Sequence, residues 1–497
     1  MTESGGRPVV LLGHSFFLHH DEKQRQKMKP YPPLATILAA AVLRERGAEV
    51  RVFDAMLAVG LDEYARALDD ADPDIVAIVE DNFNFVTKMC TARMREDALA
   101  MVCAAKARGC AVAVNGSDAS DQPERYLAAG ADAVIVGEVE PTLSDLVDAW
   151  GARRDAPLAG IPGLSLPVGV VEASSGGSNG AGHAKLRVRR TAARPYYDDL
   201  DGLPFPAWDL LEPDRYRAAW MNAHGRLSWN VATSRGCPYA CNWCAKPIWG
   251  RRYAQRAPHL VAEELARLRA HVAPDHVWFA DDIFGLTPAW IEAFASEVAA
   301  RDARLPFMMQ SRVNLMNPRT VAALASAGAE EVWVGVESGS QAILDAMDKR
   351  TTLEQIRSAT RTLKASGIHC GWFVMLGYPG EDWQDILRTR DLIRDEAPDE
   401  IGVSVAYPLP GTLFHERVHA QLGAQRNWRE TDDLAMLFQG RFDSGFYRRV
   451  RDLLHAEVPV DGAEHTRRLD GQWRELERLE AGARRARSAR APAAASD

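Results

Sequence analysis

Short strand-like runs alternate along this chain with stretches whose apolar positions recur every three or four residues. Runs of the first kind are Val9–Leu12, Glu49–Phe53, Ile75–Val79, Ala111–Val114 and Ala133–Val136. Between them lie Pro33–Arg46, with Leu34, Ile37, Leu38 and Val42 on one face and Gly47 as the stop, then Lys88–Arg108, ended by Gly109, and a segment near Pro123–Ala129. Buried parallel strands read as short apolar runs and covering helices as a 3.6-residue period, so residues 1–150 are expected to form an α/β unit, a doubly wound, Rossmann-like parallel sheet. Ligands of such sheets bind beyond the carboxyl ends of the strands. Those ends carry Gly13-His14-Ser15, Asp54, Glu80-Asp81-Asn82, Asn115-Gly116-Ser117 and Gly137-Glu138. Small and polar residues there suit a large polar ligand, although turn chemistry explains each one singly.

Residues 151–215 read as a connector. Ser174–His183 is rich in Gly, Ser and Asn, and Arg194–Tyr216 is dense in Pro, Asp and aromatics, as suits a segment draped over a surface. A second alternating series fills 216–420. Its strands are expected at Val231–Ser234, His276–Ala280, Phe307–Ser311, Glu331–Val336, Cys370–Leu376 and Gly402–Ala406. The helices between them are punctuated: Leu260–Val272 has one apolar face, Pro318 follows Asn317 at a first-turn position with Gly328 as the stop, and Thr352-x-x-Gln355 is a capping box closed by Gly367. Six β/α repeats are fewer than the eight of a closed barrel, which predicts an open, partial (β/α)6 barrel. Residues 421–497 read as a small helical region with a disordered tail, the Arg-rich stretch Arg484–Arg490 fraying in solvent. Trp428, Phe438, Phe442 and Tyr447 either pack a core there or cover a site.

Composition narrows the function. At 497 residues, 47% hydrophobic and 26% charged, the chain has the make-up of a soluble globular protein. Its net charge of −9 gives no general grip on nucleic acid. No apolar run approaches the ~20 residues that span a bilayer, and the polar start Met1–Pro8 shows no signal peptide, so a cytoplasmic protein without membrane partners is expected. Seven cysteines in so long a chain argue against a disulfide framework. Three of them cluster in Ser234-Arg-Gly-Cys237-Pro-Tyr-Ala-Cys241-Asn-Trp243-Cys244.

Thiolates are the preferred ligands of iron–sulfur clusters, and three of them leave one iron of a cubane open to a substrate. Gly236 lets the backbone turn tightly beside such a cluster, and Pro238 fixes the start of the loop. A structural zinc site is the alternative. It wants four ligands, which His224 or His259 would have to complete. Three reduced structural cysteines are another alternative. Cys90, Cys103, Cys110 and Cys370 read as buried small hydrophobes.

The motif Cys237-x-x-x-Cys241-x-Trp243-Cys244 resembles the signature of the radical S-adenosylmethionine superfamily. The resemblance implies that Cys237, Cys241 and Cys244 hold a [4Fe–4S] cluster whose open iron binds the amino acid end of S-adenosylmethionine. One-electron cleavage would then give methionine and a 5′-deoxyadenosyl radical that takes a hydrogen atom from substrate. Further matches imply the rest of the cosubstrate site: Asp281 and Asp282 for its amino group, Arg312 for its carboxylate, Glu337 and Ser338 for its ribose or amino acid part, and Gly377 and Pro379 beside its adenine. Pro408-x-Pro410-Gly411-Thr412 resembles the sixth-strand exit.

The whole arrangement over residues 8–420 resembles the cobalamin-binding branch of that superfamily. Asn115-Gly116-Ser117 and Gly137-Glu138-x-Glu140-Pro-Thr142 are similar to its strand-end loops. The resemblance implies a cobalamin site that includes His14, Asn82, Gly116, Ser117, Gly137 and Glu138, although the Asp-x-His-x-x-Gly motif of many cobalamin proteins is missing. His14 could approach the cobalt or serve only as a polar turn residue. The function implied is methylation of an unactivated carbon of a small-molecule or natural-product substrate. The alternatives are a radical cyclase or ring-rearranging enzyme, and a non-catalytic cobalamin or redox sensor. A flavodoxin or ferredoxin is the implied electron donor.

Overall fold

The fold is that of a computed structural model, which describes residues 7–84, 92–171, 185–244, 248–422, 434–458 and 462–490. Seven strands form the first sheet: β1 (Val9–Gly13), β2 (Glu49–Phe53), β3 (Ile75–Val79), β4 (Ala111–Asn115), β5 (Ala133–Ile135), β6 (Leu164–Val171) and β7 (Lys185–Arg190), in the order β2-β1-β3-β4-β5-β6-β7. The first five run parallel; β6 and β7 add antiparallel to the β5 edge. Ile75–Val79 and Ala111–Asn115 are buried at every residue, as sheet centres are, while β2 turns Glu49 and Arg51 outward and so charges its open edge. Strand order reverses between β1 and β3, and that reversal opens a crevice above their carboxyl ends.

The stretch expected as a connector therefore belongs partly to this sheet. Pro167 and Gly169 disguise β6 in the sequence, and both sit where its register with β7 shifts, the place in a sheet that tolerates such residues. Ser174–His183 lies outside the described residues.

The second sheet is wholly parallel, in the order β15-β14-β13-β12-β11-β8. Its strands are β8 (Ser228–Val231), β11 (His276–Phe279), β12 (Phe307–Ser311), β13 (Ala329–Glu337), β14 (His369–Leu376) and β15 (Glu400–Val405). Among the described residues β15 and β8 do not pair, so this is the open six-stranded barrel that the repeats imply. Its first strand lies three residues ahead of the expected Val231–Ser234. Ser234–Arg235 instead forms a two-residue strand, β9, paired with β10 (Ala254–Gln255), and the pair brackets the cysteine loop. The covering helices start where their caps dictate. Thr287 and Asn317 accept from the backbone N–H of Trp290 and Thr320, and Thr352 and Gln355 close the capping box, each cap contributing about 1 kcal/mol.

Helices Ser444–Ala456 and Gly462–Arg490 dock on the helix Trp383–Glu396. Arg394 joins them through Glu457 at 2.7 Å and Asp470 at 2.9 Å, and the Trp383 ring meets Phe446 and Trp473. Phe438, Phe442 and Tyr447 are buried in the packing; Trp428 is outside the described residues. The helix runs on through Arg484–Arg490, where fraying was expected, and Ala and Arg are strong helix formers. Among the described residues no helix is long and apolar enough to cross a membrane.

Candidate cofactor site at the junction of the two sheets

The chain leaves β8 through Thr233 and turns at Gly236, whose φ of 78° and contact with the Arg252 carbonyl exclude a side chain. Asp281, at the end of β11, anchors this departure. Its Oδ1 accepts from Thr233 N at 3.1 Å, from Thr233 Oγ1 at 2.9 Å and from Ser234 Oγ. Burial lifts its carboxyl to about 6 despite those bonds. Asp281 is thus sealed behind the loop and does not face an incoming ammonium; Asp282 beside it is half-buried. The far end of the loop is held by Asn242. Its Nδ2 donates to Ala346 O and Asp348 Oδ2, its Oδ1 accepts from Tyr378 Oη at 2.7 Å, and its carbonyl accepts from Phe414 N.

Between these anchors Cys237 and Cys241 are buried and Cys244 is more open. The other described cysteines sit on distant elements. Cys110 donates to Pro73 O and Cys370 is buried at the start of β14, but Cys103 is exposed, against expectation, with its Sγ on Ala129 O at the surface. His224 spends its Nε2 on the carbonyls of Lys27 and Met28. Three cysteines on one short loop, with the other described cysteines on distant elements, fit a cubane with one open iron better than a four-ligand zinc ion.

A ring of charged groups closes over the loop. Arg312, just past β12, donates from Nε to Asn314 Oδ1 at 3.1 Å, from Nη2 to the Lys349 carbonyl and from Nη1 to Cys241 Sγ at 3.4 Å, with its guanidinium 3.9 Å above the Tyr239 ring. Glu337, at the end of β13 with φ 65°, binds Lys349 Nζ at 2.6 Å, and both side chains are buried. Gly335 leaves the room: a Cβ there would lie 2.5 Å from Nζ. Lys349 escaped the sequence reading because it sits in a turn, and only the fold shows its contact with Glu337. Ser338 is spent on the following turn, accepting from Ser340 N. Gly377 has φ 77° and donates to Glu381 Oε2 at 2.6 Å. With Pro379, Phe438 and Arg441 it lines a cleft of about 220 Å³.

On the first sheet, His14 Nε2 lies 3.1 Å from both Asp54 Oδ1 and Ala55 N, and Tyr216 Oη donates to Asp54 Oδ2 at 2.5 Å. Burial would raise the Asp54 carboxyl, but these bonds outweigh it and hold it below the usual range. Asn82 Nδ2 reaches Asn115 Oδ1, and Asn115 Nδ2 donates to Gly137 O at 3.0 Å. Gly116 fits against Glu80, whose Oε1 accepts from Ser15 Oγ, and Ser117 opens the next short helix. Two buried atoms of this crevice, His14 Nδ1 and Asn82 Oδ1, have no hydrogen-bond partner among the described residues, and buried polar groups of this kind call for a ligand or water. Glu138 stands apart. One oxygen accepts from Tyr197 N, the other from Arg235 Nη1 at 2.8 Å, and Glu140 grips the same guanidinium. All three side chains are at most 5% exposed, so Glu138 ties the two sheets together and is closed to a ligand.

A parallel sheet with unsatisfied polar atoms at its switch point, bound through Arg235 to a three-cysteine loop on a partial barrel, defines a two-cofactor radical protein. Comparison with known proteins agrees. The family model described as the B12 binding domain matches residues 29–147, and that of the radical SAM superfamily matches residues 231–393. The chain thus joins a B12 binding domain to a radical SAM domain, and its cofactors are a [4Fe–4S] cluster, S-adenosylmethionine and cobalamin. It is 29% identical over 404 residues to the uncharacterized methyltransferase PH0819 of Pyrococcus horikoshii, covering 80% of this chain and 81% of that protein. It is 28% identical over 288 residues to the anaerobic magnesium-protoporphyrin IX monomethyl ester cyclase of Rubrivivax gelatinosus, covering 57% of this chain but only 49% of the cyclase. The fold is similar to that of the radical S-adenosylmethionine methyltransferase TsrM from Kitasatospora setae, with TM-score 0.65 and 20% identity over 85% of this chain and 80% of that one.

Proposed function

We propose that the protein is a cobalamin-dependent radical S-adenosylmethionine methyltransferase acting on an unactivated carbon of a small molecule. The observation that carries this reading is the buried Arg235–Glu138–Glu140 cluster, two residues ahead of Cys237. It fixes the crevice of one sheet against the cysteine loop of the other, as a reaction that needs two cofactors at one substrate requires. When bound, the cluster supplies the electron that cleaves S-adenosylmethionine, and cobalamin supplies the methyl group.

Cys237, Cys241 and Cys244 hold the cluster in this reading. Glu337, Ser338 and Lys349 face the amino acid and ribose end of the cosubstrate, half-buried Asp282 its ammonium, and Gly377 and Pro379 its adenine. Asp281 serves as a strut of the loop. His14, Asn82, Gly116, Ser117 and Gly137 line the cobalamin crevice. Asp54 and Ala55 grip the His14 ring at Nε2, which leaves Nδ1 for the ligand. A flavodoxin or ferredoxin delivers the electron.

The test needs no knowledge of the substrate. Anaerobically reconstituted protein given cobalamin, reductant and S-adenosylmethionine should form methylcobalamin and S-adenosylhomocysteine. Formation of 5′-deoxyadenosine with no S-adenosylhomocysteine would favour a cyclase or rearrangement instead.

A further inference from the structure

Arg312 is buried, and among the described residues no carboxylate pairs with it. A buried guanidinium keeps its charge, so it requires a countercharge. Each of its three nitrogens makes one hydrogen bond: Nε to Asn314, Nη2 to the Lys349 carbonyl, Nη1 to Cys241 Sγ. Nε has a single N–H, so its bond to Asn314 takes it out of the side-on bidentate grip by which arginine binds a carboxylate. The Tyr239 ring, 3.9 Å from the guanidinium carbon, holds the plane in place. The sulfur of Cys241 lies within reach of Nη1, and as a cluster ligand it would supply that countercharge.

We propose that Arg312 is a positioning residue for the cluster, setting its reduction potential through the N–H···S bond to Cys241. This rests on the reading that Cys241 is a cluster ligand. A cluster held by three thiolates is anionic and becomes more so when it accepts an electron. A fixed cation and hydrogen bond at one sulfur stabilise the reduced form more than the oxidised one and raise the potential. Asn314 and the Lys349 carbonyl aim the group, and its burial shields it from solvent screening.

The test is a redox titration of the reconstituted protein, followed by electron paramagnetic resonance without S-adenosylmethionine, with iron and sulfide counted per chain. Arg312→Gln should hold a full cluster whose reduction equilibrium falls about tenfold, a shift of about 59 mV for one electron, toward more negative potential. Arg312→Lys, which keeps the charge without the planar fork, should shift about threefold in the same direction. If Arg312→Gln assembles no cluster, Arg312→Lys decides alone. A full cluster at unchanged potential, with only a raised KM for S-adenosylmethionine, would overturn the proposal and return Arg312 to the cosubstrate. Wild-type protein that takes up no iron or sulfide would sink the cluster reading itself, and this role with it.

Discussion

The two ligand-facing edges of the molecule solve the same problem in opposite ways. At the mouth of the second sheet, Asp281, Arg312, Glu337 and Asn242 are each tied to a protein partner: Thr233, Cys241, Lys349 and Tyr378. At the crevice of the first, His14 Nδ1 and Asn82 Oδ1 remain without partners among the described residues. A loop that must hold a reactive cluster at one place gains from struts formed before the cluster arrives. A crevice that admits a large polar cofactor keeps polar atoms in reserve for it. Preorganisation on one side and reserved valence on the other should therefore fail differently when altered.

The largest contrast comes from the struts' purpose. Cys241→Ala should abolish iron and sulfide uptake and all cleavage of S-adenosylmethionine, while cobalamin binding, followed by absorbance, survives. Next, Arg235→Met breaks the bond between the edges and strands two buried carboxylates. A loss of about 3–5 kcal/mol in urea unfolding is expected, with partial recovery when Glu138→Gln and Glu140→Gln are added. Unchanged stability would mean that the edges are joined by something else. His14→Ala should weaken cobalamin binding about tenfold, or ~1.4 kcal/mol, in a spectroscopic titration and leave the iron content unaltered. A matching loss of iron would erase the distinction between the two edges.

The remaining effect, spread over several pH units, is one of pH. Burial lifts the Glu381 carboxyl from 4.5 to about 8. Between those values the unfolded chain releases a proton that the folded one keeps, so stability falls as pH rises, by at most about 1.4 kcal/mol per unit. Glu381→Gln keeps an acceptor for the Gly377 N–H and removes the titration. Its denaturation midpoint should fall less between pH 5 and 8 than that of the wild type.

Much of this was legible in the chain. β2, β3 and β12 fall on their expected residues, because their burial follows from local pattern alone. β8 was misplaced because Ser228 and Asn230 look exposed. Both are buried, with Ser228 Oγ on Tyr31 Oη and Asn230 Nδ2 donating to the Pro32 carbonyl, each nearly 200 residues away, and no local pattern could announce that. The cysteine loop was visible from spacing, as was the Glu138-x-Glu140 motif, but not the arginine that the motif grips. Lys349 and the real work of Asp281 emerge only when strand ends converge in space.

The segment Pro30–Pro33 runs beside β8, the outermost strand of the second sheet. The Pro30 carbonyl accepts from Trp220 Nε1, Tyr31 Oη meets Ser228 Oγ, and the Pro32 carbonyl accepts from Asn230 Nδ2. Proline has no amide proton to extend a ladder, so this strip acts as a selvedge, finishing the fabric where it would otherwise unravel onto a neighbour. A radical half expressed by itself from residue 216 would lose that hem and offer its bare margin to other copies. The two halves are thus best handled as a single cloth, and any attempt to recombine them with foreign partners has to carry the prolines along.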